Sequence, residues 1–152
     1  MTLEIDNLKD IYVKDHSNND LNKYINSAIE KFSSSILFFD DNGEYFHYGD
    51  LKNIFSKKTK SLIKRSLIFC FCDNEISALA GYLFFLSKEA IPMMIKLDTS
   101  EDQVYNLLEN YCPSYIWVNK NSKNIFKNYY EIDGFGKYIL IKKKSKEYKI
   151  NS

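Results

Sequence analysis

Apolar residues along the chain fall into two rhythms, one helical and one extended. After Asp20, the residues Leu21, Tyr24, Ile25, Ala28, Ile29 and Phe32 recur at helical spacing and make one stripe, which the serines at 33–35 end. The stretch "SILFFDDNGEYFHY" reads as a hairpin: an apolar run, an Asp-Asn-Gly turn, then an aromatic run. Asn42 and Gly43 tolerate the positive φ that a tight turn needs. A second helix is predicted over 49–64, with Leu51, Ile54, Phe55, Leu62 and Ile63 inward. "SLIFCFC" is apolar on consecutive positions, as a strand buried on both faces of a parallel sheet must be. The helix after it, to about residue 88, is apolar nearly all round, with Asp73 or Asn74 as its cap and Glu75 at its positive end. Gly81 in its middle costs ~1 kcal/mol relative to alanine, so its presence there implies close packing on the sheet.

"IPMMIKL" is the next predicted strand, with Pro92 near its start, where a ladder donor is dispensable. Ser100 and Gln103 form a capping-box pattern, and Val104, Leu107, Leu108 and Tyr111 make the stripe of the helix that Pro113 stops. "YIWV" reads as a buried strand, "SKNIFKNYY" as a weak helix and "KYILIK" as a further strand. Residues 10–13, "DIYV", read as a short strand. The alternation from Leu67 onward predicts right-handed crossovers and a parallel sheet. The expected fold is α/β: a three-layer α/β/α sandwich with a mostly parallel mixed sheet and one β-hairpin. No linker or internal repeat divides the 152 residues, which form one expected domain.

Composition changes this picture little. The chain is 45% hydrophobic and 27% charged, as soluble globular proteins are. A net charge of +1 gives no strong overall field toward nucleic acid or anionic lipid, and the lysines are spread along the chain except in "KYILIKKKSKEYK". That segment reads as a solvated strand and its turn, so no nucleic-acid partner is expected. No apolar run approaches ~18 residues, so no membrane span is expected. The N-terminus "MTLEIDNLKD" lacks the basic-then-apolar form of a signal peptide, and three cysteines make no disulfide framework. A cytoplasmic location is the expectation.

Candidate chemistry is sparse. Cys70 and Cys72 share one strand face, but the C-x-C spacing, even with Cys112 and His47, is not that of a zinc site. No metal site is expected, and the cysteines read as small buried hydrophobes. His16 lies in a polar segment and His47 ends the second hairpin strand, with no nucleophile elbow to serve. "FFDD" offers adjacent acids. Asp73 and Asp98 both follow predicted parallel strands, at the carboxyl edge where α/β domains bind ligands. A strand-end Asp is also an ordinary helix cap. "GFG" at 134–136 is too short for a phosphate loop, and no Walker or dinucleotide fingerprint occurs in the chain.

Two segments resemble the beginning of the AMP-dependent synthetase and ligase family: the adenylate-forming acyl-CoA synthetases, luciferases and peptide-synthetase adenylation domains. The first is "NGEYFHYGDL". Tyr48 and Leu51 match the family's early element, Asp50 stands for its usual Glu, and His47 stands where Thr or Ser is typical. The second runs from Cys72 to Val118. Asn74, Gly81, Ala90, Pro92, Leu97, Asp98, Leu108 and Pro113 fall in register, Glu89 replaces the usual Gly and Thr99 the usual Pro. The exchange at Glu89 predicts a less tight turn than the family's. The resemblance covers roughly residues 35–118, most of the chain.

The resemblance implies the N-terminal subdomain of a larger enzyme. Such an enzyme uses ATP and Mg to activate a fatty, aryl or amino acid as an acyl-adenylate and passes it to a thiol of CoA or of an acyl or peptidyl carrier protein. In that family the Ser/Thr/Gly-rich phosphate loop, the adenine motifs and the lysine lid come later than the elements matched here. By resemblance, no catalytic residue lies in these 152 residues, their cofactor-binding residues are unknown, and their partner is the remainder of the enzyme. The competing expectations are a non-catalytic interaction or regulatory domain of the same fold, and an unrelated doubly wound module. "FFDD" sits beside a turn, where a receiver domain does not place its acids, and no flavodoxin-type phosphate loop follows the first strand.

Overall fold

A computed structural model describes residues 21–40 and 42–145. The strand read at 10–13 and His16 lie outside the described residues. Helix α1 (Leu21–Lys31) is followed by the hairpin strands β1 (Ile36–Phe39) and β2 (Tyr45–His47). A 3-10 turn (Tyr48–Lys52) and the short helix α2 (Lys57–Leu62) lead to β3 (Leu67–Cys72). Then come α3 (Ile76–Ser87), β4 (Ile91–Lys96), α4 (Glu101–Tyr111) and β5 (Tyr115–Asn119). A second 3-10 turn (Lys120–Ile125) precedes β6 (Tyr129–Phe135) and β7 (Tyr138–Lys143).

The main sheet has the order β4-β3-β5-β7-β6. β3 is parallel to β4 and β5, and β7 is antiparallel to both β5 and β6. Four strands therefore run one way and β7 alone is reversed. The protein is a mixed α/β fold, and its core shows why the central strands are apolar at every position. Ile68 and Cys70 face one layer with Trp117, Tyr138, Leu140 and the aromatic rings of α3. Phe69 and Phe71 face the other with Ile116, Val118, Ile139 and Val104 of α4. Side chains alternate across a strand, so two covered faces demand apolar residues at both parities.

Gly81 lies where α3 crosses β5. A Cβ there would come within 2.5 Å of Cε2 and 2.9 Å of Cζ2 of Trp117, and closer still to Nε1. The indole fills the space a side chain would take, and its N–H donates to the Ser77 carbonyl at 3.2 Å. The helix backbone thus sits directly on a fully buried ring, which is the packing the glycine implied.

The structure corrects four local expectations. The helix expected over 49–64 is broken in two. Ser56 takes extended backbone and accepts from the Thr59 N–H at 3.2 Å, so it starts a new helix where continuation was expected. The segment "SKNIFKNYY" is a 3-10 turn followed by the start of β6. β7 needs a second hydrogen-bonding partner, and Gly136, at φ 56, turns the chain back to supply one. The first hairpin forms a separate two-stranded sheet and adds nothing to the main one. Gly43 in its turn has positive φ: Gly43 N donates to Asp40 O at 3.0 Å, and Asp40 N donates to Glu44 O at 3.1 Å.

The fourth correction concerns the turn after α3. Glu89 adopts φ 58, the left-handed conformation that favours glycine. Its own N–H donates to Leu86 O and the Ala90 N–H to Phe85 O. The tight turn is therefore kept in spite of the side chain, at a conformational cost of roughly 1–2 kcal/mol. Glu89 lies 3.3 Å from Lys64, an exposed pair that offsets little of this cost.

A carboxylate that the pattern did not single out ties α2 to the sheet. Asp133, at the irregularity in β6, accepts from Thr59 Oγ1 at 2.6 Å, Ser56 N at 3.0 Å and Gly134 N at 2.9 Å. Burial alone would raise its pKa, but the hydrogen bonds from Thr59, Ser56 and Gly134 hold it below the usual carboxylate value. A lowered folded pKa adds stability that is complete above the unfolded value near ~4 and is lost as pH falls through the folded one. Asp133→Asn is therefore expected to lower stability by about 1–2 kcal/mol at neutral pH. The gap to the parent should close in acid, and urea midpoints at neutral and acid pH check both.

Candidate functional site

The carboxyl edge of the parallel strands opens into a surface cleft of about 750 Å³. Three elements build it: the turn of the first hairpin, the start of α3 and the β6–β7 turn. Asp40, Glu44 and Tyr45 come from the first, Glu75 and Ser77 from the second, Lys137 from the third. Their placement follows from the topology. β3 ends at Cys72 and the next turn delivers Glu75 as the residue preceding α3, while β7 begins beside the end of β5 and brings Lys137 across.

Asp40, Glu75 and Lys137 in this cleft already have structural partners. Lys137 Nζ donates to Glu75 Oε1, and the Glu75 carboxylate holds the Lys137 pKa above its ordinary value. Asp40 accepts from the backbone N–H of Glu44 and of Asn42, both at 2.9 Å, and the Glu44 bond leads in lowering its pKa. Asp73 accepts from Glu75 N at 3.1 Å and so serves the turn into α3, although Glu75 and not Asp73 is the residue preceding the helix. Asp98 is exposed at the end of β4 and pairs with Lys96 at 2.7 Å, which holds its pKa below the ordinary value. The sequence-derived pair Asp73 and Asp98 thus lies on one edge, at the ends of two adjacent strands, with separate partners.

The remaining candidates are also occupied structurally. Asp50 accepts from the His47 backbone N–H at 2.8 Å and lies 3.4 Å from His47 Nδ1, closing the start of the 3-10 turn. Cys70 is buried, and burial pushes its thiol well above the ordinary pKa. Burial, followed by the Asp73 charge, pushes Cys72 up to about 11, so neither cysteine offers a thiolate at neutral pH. Cys112 is exposed at the end of α4 in left-handed backbone. Among the described residues, no group of three or more His, Cys, Asp or Glu side chains is arranged to hold a metal ion. Among them also, no helix is long and apolar enough to cross a membrane.

One buried group escaped sequence reasoning. Tyr138 is fully buried against Trp117 with ring centroids 5.5 Å apart, and its hydroxyl makes no hydrogen bond of good geometry. Burial, followed by a weak interaction of the hydroxyl with the Asp73 carboxylate, pushes its pKa up, so it stays a neutral phenol. The pattern "KYILIK" places this tyrosine in a strand, but its depth depends on the layer above, which local sequence does not specify.

The cleft presents three carboxylates against one ammonium. That donor set suits a cation or a hydrogen-bond donor and repels nucleotide phosphates, which need backbone N–H groups or cationic side chains. Comparison of the chain with family models, with curated proteins and with solved structures returns no match.

Proposed function

We propose that these residues are the N-terminal subdomain of an adenylate-forming, AMP-dependent ligase. The complete cytoplasmic enzyme would use ATP and Mg to join the carboxylate of a fatty, aryl or amino acid to AMP with release of pyrophosphate. It would then pass the acyl group to a thiol of CoA or of a carrier protein. The 152 residues act as a packed platform for the reactive parts and are inactive alone.

The observation that carries this reading is the backbone at Glu89. The family to which the chain is similar places glycine at this position, and the chain keeps a glycine conformation there with a side chain that pays for it. Gly81 against Trp117 and Asp50 bonded back to His47 support it in the same way, because each resembling residue performs a backbone task its type requires. An exposed apolar seam also supports it: Phe39 and Tyr45 pair across the first hairpin, 75% and 61% exposed beside the cleft.

ATP–pyrophosphate exchange tests the reading. The isolated chain should give none with any carboxylic acid. The protein translated from the whole reading frame should exchange with at least one fatty, aryl or amino acid. Exchange by the isolated chain would overturn the proposal, as would its absence from the whole protein across all three acid classes.

A further inference from the structure

The lysines that are dispersed in the sequence collect at one end of the sheet. A continuous line of backbone hydrogen bonds crosses the amino edge of the parallel strands. Arg65 N bonds Glu89 O at 2.9 Å, Ile91 N bonds Ser66 O at 2.9 Å, and Ser114 N bonds Leu67 O at 3.2 Å. Lys143 N then bonds Ser114 O at 3.0 Å, and Lys144 N bonds Asn128 O at 2.9 Å. This line fixes Lys64, Arg65, Lys127, Lys143 and Lys144 in a row, all exposed. Three strand spacings of ~4.8 Å, from β3 to β6, make the row about 14 Å long. Lys142, half-buried over the Tyr115 ring, adds a charge behind it. Among the described residues, the acids at this end are Glu89, which faces Lys64 and Arg65, and Glu109 near the end of α4. The opposite edge carries Asp40, Glu44, Glu75, Asp98, Glu101 and Asp102 against Lys96, Lys120 and Lys137. A net charge near zero thus conceals a domain that is basic at one end and acidic at the other.

We infer that the amino edge is a docking surface for an acidic protein. Charge complementarity defines the partner, and the row is as long as a face of about 10 helical residues at 1.5 Å each. Its chemistry favours carboxylates over a nucleic acid. The row has a single arginine, whereas planar bidentate capture of phosphate is the work of arginine. The exposed rings of Tyr111 and Tyr130 flank the row and supply the amphipathic contact that interfaces favour. The inference uses charge and topology alone and stands apart from the ligase reading.

The test uses the whole chain and a fluorescent, glutamate-rich helical peptide, with binding read by anisotropy. The peptide should bind at low salt and weaken steeply as salt rises. The triple change Lys127→Glu, Lys143→Glu and Lys144→Glu should weaken it by about tenfold or more. The same three positions changed to Gln should give a smaller loss, and Lys96→Glu with Lys120→Glu at the other end should leave binding intact or tighten it. Circular dichroism confirms that each variant is folded. Failure of the parent to bind overturns the inference, as does equal weakening by reversal at either edge. Tighter binding to a single-stranded oligonucleotide or to phosphatidylglycerol vesicles would overturn it in favour of those partners. Salt-sensitive self-association would instead place a second copy's acidic end on the row.

Discussion

Gly81→Ala should lower the unfolding free energy by about 2–3 kcal/mol, although alanine is the better helix former by ~1 kcal/mol. The two effects compete, and the distances decide between them. The new methyl would lie 2.5 Å from Cε2 of Trp117, a separation that real Cβ contacts do not reach. The indole is fully buried and its N–H is committed to Ser77 O, so it has no open space to retreat into. Either α3 lifts from the sheet or the ring turns and loses its hydrogen bond. Thermal or urea unfolding reads the result, and a variant as stable as the parent would show that α3 does not sit on this ring.

Trp117→Ala should cost more, about 3–5 kcal/mol. The ring centroid lies 5.2 Å from Phe55, 5.5 Å from Tyr138 and 5.9 Å from Phe85, so its removal opens a cavity lined by rings from three elements. Those neighbours are themselves packed and collapse poorly into the space. The Ser77 carbonyl would also lose its side-chain donor. The two sites are coupled, because a smaller ring makes room for the methyl. Trp117→Phe should therefore recover part of the Gly81→Ala loss, with a coupling of roughly 1 kcal/mol or more in a double-mutant cycle.

The central strands, the first hairpin and the meaning of Gly81 were legible because their signals are local. "SLIFCFC" and "YIWV" can only be buried on both faces, and a glycine inside an apolar helix has few uses other than close approach. β6 was hidden because its alternation breaks at the irregularity between Glu131 and Asp133. The split in the helix over 49–64 was hidden because Ser56 reads as an ordinary helix residue until Thr59 and Asp133 are brought to it.

The candidate site divides the same way. Asp73 as a turn residue follows from its position at the end of a strand, while the cap falls at Glu75. The pairing of Glu75 with Lys137 and the tether from Asp133 to Thr59 join residues 62 and 74 apart, which only the strand order brings together. The basic row is the strongest case. Lys64, Lys127 and Lys144 belong to separate turns, and nothing in their spacing announces a common edge. A sequence can disperse its charge evenly while the topology sorts it to one end.

At the carboxyl edge Asp40, Asp73 and Glu75 are each engaged in holding a turn. Asp40 closes the hairpin, Asp73 starts α3 and Glu75 anchors the β6–β7 turn.

The most direct measurement is the sequence of the messenger beyond codon 152, read from the cell that makes the protein. The account predicts an open frame that reaches a Ser/Thr/Gly-rich loop with a lysine within a few tens of codons. A stop codon directly after Ser152 would contradict it.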